Sequence, residues 1–301
     1  MLDLKSVAIF VKVAERQSFS RAARELGITQ SGASNAIVRL EEKLGLRLLA
    51  RTTRRVGLTE DGAAFFERCR RILADLEEAE QVLTQSRVAP VGTLRLDLPV
   101  SFGRLKVVPL LRAFREQQPQ LRLDVSFTDR FIDLVDEGVD IAVRVGELRD
   151  SSLIARKLTE SPLRVVAAPQ FLAKHGTPRR IEDIDPKLCL PYALRDSRVP
   201  REWHFVREGR RISFLPEGPL TVTDGLALVA AAIEGNGLAQ INDYAIGDGV
   251  AAGWLVSVLE EFTPPALPIW LVYPQTRHLS PKVRAFVDFM VDCFSQARQK
   301  A

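Results

Sequence analysis

The chain has 301 residues, 46% of them apolar and 27% charged, with a formal net charge of +4. That length supplies two or three packed units with sizeable cores, at a composition ordinary for soluble proteins. No run approaches the roughly 18 apolar residues that a membrane helix needs, and the start, MLDLKSVAIFVKVAERQ, lacks the basic region of a secretory signal, so a cytoplasmic protein without a membrane partner is expected.

The charge is uneven. Residues 1–71 hold fourteen Lys or Arg against eight Asp or Glu, so the basic character sits at the N-terminal end, where a polyanion is a natural partner. Leu4, Val7, Ala8, Val11 and Ala14 form one helical face. Residues 18–62 then read SFSRAARELGITQSGASNAIVRLEEKLGLRLLARTTRRVGLTEDG. A short helix with Ala22, Ala23 and Leu26 runs into Gly27, and a second helix starts at Thr29, whose hydroxyl suits an N-cap. This is helix–turn–helix grammar. In the second helix Ala33, Ile37, Leu40 and Leu44 make a buried stripe, and Gly45 can end it. Gln30, Ser31, Ser34, Asn35 and Arg39 occupy the other face. The first four are short hydrogen-bonding side chains in the first two turns, where a recognition helix meets base edges. Arg47, Arg51, Arg54 and Arg55 follow with no acid between Glu42 and Glu60. Short alternating runs around them predict a two-stranded wing whose guanidinium groups meet phosphates or the minor groove.

These residues carry a resemblance. F-x-x-V-A-E at 10–15, S-F-S-x-A-A at 18–23, L-G-I-T-Q-S at 26–31, S-x-A-I-x-x-L-E at 34–41, L-G-x-R-L at 44–48, R-T-x-R at 51–54 and L-T-E-D-G at 58–62 make residues 4–66 similar to the winged helix–turn–helix of LysR-type transcriptional regulators. Asn35 stands where that family commonly has Arg, and Gly32 where Ala or Pro is common. The resemblance implies a DNA-contacting set of Ser20, Thr29, Gln30, Ser31, Ser34, Asn35, Arg39, Arg51, Thr53, Arg54 and Arg55.

Thr59 can cap the next helix. Along it Phe65, Cys69, Ile72, Leu76, Ala79 and Leu83 recur at spacings of four and three, a heptad seam that predicts a two-chain coiled coil. A dimer would match a pseudo-palindromic DNA site. RVAPVG at 87–92 ends the helix. The expected division is a DNA-binding domain at 1–62, a linker and dimerisation helix at 63–88, and a regulatory domain at 89–301.

Beyond residue 92 strands and helices alternate. Strands are predicted at 93–98, 121–127, 140–145, 163–168, 220–223, 238–241 and 268–273, with helices at 104–118, 131–137, 170–174, 225–234 and 281–297. Such alternation implies α/β structure with parallel sheets. G-T-L-R-L-x-x-P-V-S-F-G at 92–103, D-L-V-x-E-G-x-D-I-A-V-R-V-G at 133–146, S-S-L-I-A-R-x-L at 151–158 and P-x-F-L-A-x-H-G at 169–176 resemble the same family's effector domain. The resemblance implies a two-lobed fold like type 2 periplasmic binding proteins, with lobe I at 92–163 and 268–298 and lobe II at 164–267, closing over a small organic effector. It further implies a tetramer, and it leaves room for contact with RNA polymerase.

Two strand-to-helix turns, at 99–103 and 223–225, offer hydroxyls and free N–H groups that suit a carboxylate. Ser101, Phe102 and Thr223 are the candidate effector contacts, with Thr128, Arg144 and Arg195 behind them. Cys69, Cys189 and Cys293 show no C-x-x-C or metal spacing and read as reduced thiols. His175, His204 and His278 are isolated. With no nucleophile–base pair or metal set, neither an enzyme nor a cofactor is expected.

Overall fold

The computed structural model describes residues 3–51, 56–84, 90–148, 152–193, 199–275 and 279–300. They divide into two compact units, Met1–Val88 and Ala89–Ala301.

In the first unit α1 (Leu4–Arg16), α2 (Phe19–Glu25) and α3 (Gln30–Leu44) precede a short hairpin of β1 (Leu49–Arg51) and β2 (Val56–Leu58), and then α4 (Glu60–Thr84). Each helix starts on a side-chain oxygen that accepts an otherwise unpaired backbone N–H. Asp3 caps α1, Ser18 caps α2 and Thr29 caps α3, while Thr59 Oγ1 accepts from Gly62 N at 2.9 Å. Gly45, at φ 68°, ends α3 in the left-handed region. Val7, Phe10, Ala22, Ala23, Ala33, Ile37 and Leu40 form one core.

That core also takes in Cys69, which is 3% exposed, with Phe65 packed against it and the Phe65 ring 5.6 Å from Phe10. The expected seam is therefore corrected at its first two positions. The first turns of α4 lie on α1, so an apolar stripe there is already covered within the subunit. Ile72 and Leu76 remain exposed, at 54% and 41%. The side chains of Ala79 and Leu83 lie outside the described residues.

The second unit holds a five-stranded sheet, a three-stranded sheet and a separate two-stranded hairpin. β3 (Gly92–Leu98) leads through α5 (Val100–Phe102), a π turn at Gly103–Val107 and α6 (Val108–Gln117) to β4 (Leu121–Phe127), followed by β5 (Ile141–Val145), β6 (Leu153–Ser161) and β7 (Leu163–Ala167). Then come α7 (Pro169–His175), the hairpin β8 (Trp203–Arg207) and β9 (Arg210–Phe214), α8 (Gly225–Ile233), β10 (Ala239–Asn242), α9 (Asp243–Ile246), β11 (Val256–Val258), β12 (Leu267–Pro274) and α10 (Pro281–Lys300). The five-stranded sheet has the order β4-β3-β5-β12-β6 and the three-stranded sheet β10-β7-β11. Chain crossings through β6–β7 and back through β12 make two lobes. Leu94, Leu96, Phe102, Phe114, Ile269 and Phe286 fill the first. Val165, Phe171, Trp203 and Phe205 fill one side of the second, and Leu228, Ala239 and Ile241 the other.

The expectation of parallel sheets is corrected. β3 pairs in parallel with β4 and β5, but β12 runs antiparallel between β5 and β6, and both partners of β7 are antiparallel. Once the chain returns from the second lobe it enters the first sheet from the opposite end. Residues 131–137 form an irregular loop and a turn, not a helix, because Asp133 accepts from the Val135 and Asp136 amides and caps a single turn. Of the strand expected at 220–223, only the Tyr192–Val222 bridge forms. The strands β6, β8, β9 and β11 were not anticipated.

Candidate nucleic-acid interface and ligand cavity

Gln30, Ser31, Asn35 and Arg39 are exposed on α3, and Ser34 is half-buried. The opposite face, Ala33, Ile37, Leu40 and Glu41, is buried. Gly32 donates its N–H to Thr29 Oγ1 at 3.1 Å. A Cβ on Gly32 would sit 3.0 Å from that oxygen, so the glycine that weakens the helix interior leaves the cap undisturbed. Thr29 Oγ1 and Ser31 Oγ are 3.2 Å apart, as are Ser18 Oγ and Ser20 Oγ at 3.1 Å, which holds these hydroxyls in defined positions while Ser20 stays exposed. Arg51 ends β1, but its side chain, like Thr53, Arg54 and Arg55, lies outside the described residues.

Sequence reasoning passed over Glu41. It is 6% exposed, and its Oε1 accepts from Leu48 N at 2.8 Å and Leu49 N at 3.0 Å. A buried carboxylate thus ties the end of α3 to the first strand of the wing. The signal was present: Glu41 falls four residues after Ile37, on the apolar stripe. A second junction is steric. A Cβ on Gly62 would lie 1.9 Å from Leu48 O, so α4 can pack against the wing only if this residue has no side chain.

The second unit encloses a cavity of about 580 Å³. It lies where strand ends of both sheets meet, the usual ligand position in α/β folds. Ser101, Thr128 and Arg144 line it. Ser101 is buried, and Thr128 Oγ1 accepts from Arg130 N at 3.1 Å. Two expected contacts are corrected. Phe102 is 1% exposed and packs in the first lobe, with its ring 5.1 Å from Tyr244. Thr223 is not part of the lining, and Asp224 rather than Thr223 caps α8, accepting from Ala227 N at 2.8 Å. Arg195 lies outside the described residues. The two strand-to-helix turns do meet, through Ser101 and Gly225: a Cβ on Gly225 would come within 2.6 Å of Ser101 Oγ.

The charges in the cavity wall are held by neighbours. Arg144 Nη1 donates to Asp97 Oδ2 at 2.7 Å and to Val143 O at 3.1 Å. Burial pushes the Asp97 carboxyl up, while Arg144 and the Ser126 hydroxyl draw it back. Asp129 accepts from Val100 N at 3.1 Å. Burial raises its carboxyl as well, against the pull of the Val100 amide, Arg201 and the Tyr192 hydroxyl; nearby Asp224 adds to the rise. The Tyr192 phenol is pushed up to about 12, first by burial and then by Asp129, so it stays a donor at neutral pH. Gln240 clamps His204, accepting from its N–H and donating to its carbonyl, both at 2.9 Å.

Two residues of the lining, Arg144 and Asn242, each keep one covered atom, Nη2 and Oδ1, without a hydrogen-bond partner among the described residues. A buried donor or acceptor left in that condition costs roughly 1–3 kcal/mol.

All three cysteines are free. Burial pushes the Cys189 thiol up to about 12, far from the thiolate that redox chemistry needs. Among the described residues there is no group of three or more metal-ligating side chains, and no helix is long and apolar enough to cross a membrane.

Known proteins share both units. Residues 4–63 match the profile of the bacterial regulatory helix-turn-helix protein, lysR family, and residues 88–294 that of the LysR substrate binding domain. An HTH-type transcriptional regulator from Xanthomonas campestris pv. campestris is 40% identical over 96% of this chain and 85% of its own length. The HTH-type transcriptional regulator CrgA of Neisseria meningitidis is 37% identical over 96% of each chain. The solved structure of CrgA, a LysR-type transcriptional regulator, superposes with a TM-score of 0.62 at 35% identity, covering 96% of this chain and 98% of that one.

Proposed function

The chain belongs to the LysR family of DNA-binding transcriptional regulators, whose members bind DNA and small-molecule effectors and oligomerise, and from that premise we propose how this member divides the work. Dimers read a pseudo-palindromic promoter site through α3, and a small organic effector in the cavity near Ser101 and Thr128 shifts the balance between two arrangements of the lobes. An effector can shift that balance only by binding the two arrangements unequally. The observation that carries the reading is the face of α3. Gln30, Ser31 and Asn35 stand exposed at the start of a capped helix, where base edges would be met.

Ile72 and Leu76 are the proposed subunit contact, since both are exposed on a helix whose earlier apolar residues are covered. Pairing of dimers into tetramers, contact with RNA polymerase, work in the cytoplasm and the lack of a catalytic step belong to the same reading. Its support is that relatives matched over nearly the whole chain are named transcriptional regulators.

Footprinting of the full chain on its own upstream region tests it. A protected pseudo-palindrome is expected, with protection lost as salt rises. An Ile72→Lys, Leu76→Lys chain is expected to keep its fold and to give smaller particles by light scattering, with weaker protection. The absence of any protected site at low salt would refute the regulator reading, and an unchanged particle size would refute the placement of the contact.

A further inference from the structure

We propose that the hairpin of β8 and β9 is a second wing: an arm on the second unit whose arginine tip binds the phosphate backbone of DNA flanking the site read by α3. The proposal rests on the regulator reading and adds a DNA contact outside the helix–turn–helix.

The arm has an anchored base and an open tip. Trp203 and Phe205 are buried, the Phe205 ring stacks on Phe214 at 5.9 Å, and Ile212 packs against the same core. At the other end Arg207, Glu208, Gly209, Arg210 and Arg211 are all exposed. The turn is tight. Glu208 and Gly209 take positive φ of 52° and 75° between the paired Arg207 and Arg210, the two-residue connection that follows the twist of its strands. A tip so held keeps its backbone in one conformation, so little ordering entropy is lost on binding.

The charges on the tip work against the fold. Arg207 lies directly opposite Arg210 in the register, and like charges in that position repel. Glu182 answers only the first, accepting from Arg207 Nη1 at 2.6 Å. Arg210 and Arg211 have no ion-pair partner among the described residues. Successive strand residues point to opposite faces, so these two guanidinium groups flank the ribbon, one on each side. A cation on each face suits a groove between two phosphate chains, whereas an acidic protein surface would meet only one of them. Arginine suits phosphate because its planar fork donates two parallel hydrogen bonds. The tip reads R-E-G-R-R at 207–211, and the wing of the first unit reads R-T-T-R-R at 51–55, so both hairpins carry arginines at one spacing. Phosphate contacts carry no base preference, which assigns the arm to affinity and to DNA length, not to choice of site.

The test titrates the full chain, across a range of salt, onto two duplexes: the protected pseudo-palindrome alone, and the same site extended on each side by about 30 base pairs, roughly three helical turns. On the extended duplex the Arg210→Ala, Arg211→Ala chain is expected to lower the slope of log affinity against log salt by about two for each hairpin engaged. On the short duplex it is expected to match the parent. Arg210→Lys, Arg211→Lys keeps the cations and is expected to keep the slope. Lys174 and Lys187 are exposed on the same lobe, and removing both as alanine is expected to change nothing. A parent-like slope for the Arg-to-Ala chain on the extended duplex, or an equal loss for the Lys174, Lys187 chain, would overturn the proposal. So would parent-like DNA binding with lost transcription from the promoter, which gives the arm to an acidic protein instead. A parent chain that protects no site sinks the regulator reading, whereas a protected site with no change in slope sinks the arm alone.

Discussion

Along α3, Gln30, Ser31, Asn35 and Arg39 project from one 15-residue helix, whereas the cavity gathers its polar atoms from segments as distant as Ser101, Arg144 and Asn242. The helix face leaves its side chains to solvent and anchors only its far side, through Ala33, Ile37 and Leu40. The cavity does the reverse: Arg144 in its wall is held in place by the buried carboxylate of Asp97. A recognition surface can thus tolerate change one residue at a time, while a buried polar wall is a coupled set. The local unit depends instead on its junctions.

The largest expected effect strikes such a junction. Gly62→Ala puts a carbon 1.9 Å from Leu48 O and should cost about 3 kcal/mol, the upper end for overpacking. Denaturant unfolding followed by α-helical circular dichroism is expected to show the first unit melting early, while the isolated span 89–301 is untouched by definition. A parent-like midpoint would show that α4 can slide off the wing at little cost. Next, Glu41→Leu strips the acceptor from Leu48 N and Leu49 N and is expected to cost about 2 kcal/mol; Glu41→Gln, which keeps one oxygen, should recover most of it in the same assay. Equal losses for both would mean that charge, not the hydrogen bonds, is what matters.

Ser34→Ala tests the tolerant face. Stability should be parent-like, while competition binding on a panel of single base-pair variants shows roughly 1 kcal/mol of lost discrimination confined to one position. A uniform loss across the panel would move Ser34 from base reading to backbone positioning. The smallest effect belongs to the cavity. The Asp129 carboxyl is raised by burial, so the folded state holds its proton more tightly than the unfolded chain does. Its contribution is therefore fully present below the ordinary value of 3.8 and is lost as pH rises through the raised folded value. Asp129→Asn removes that term, so the difference in melting temperature between parent and variant should shift against the parent as pH rises through this window. A difference that stays constant across the window would mean that Asp129 titrates as it does in the unfolded chain.

The same contrast governs what could be read before the structure. Caps, turn and buried stripe are local, so Thr29, Thr59, Gly45 and the α3 face follow from spacing alone. The heptad in α4 was legible too, but spacing does not say which surface covers a stripe, and α1 took Phe65 and Cys69. The cavity was legible only as two turns. Ser101 stood out as a hydroxyl at a strand end, yet Asn242 gave no signal, because the unmatched state of its Oδ1 depends on groups far away in the chain. The antiparallel β12 escaped for the same reason: strand direction is set by where the chain returns, not by its pattern.

Ser101 and Gly225 touch so closely that not one carbon atom fits between them. A side chain at position 225 would drive into the Ser101 hydroxyl and force the two strand-to-helix turns apart. Because both residues line the cavity, its width at this point is set by the absence of a single carbon.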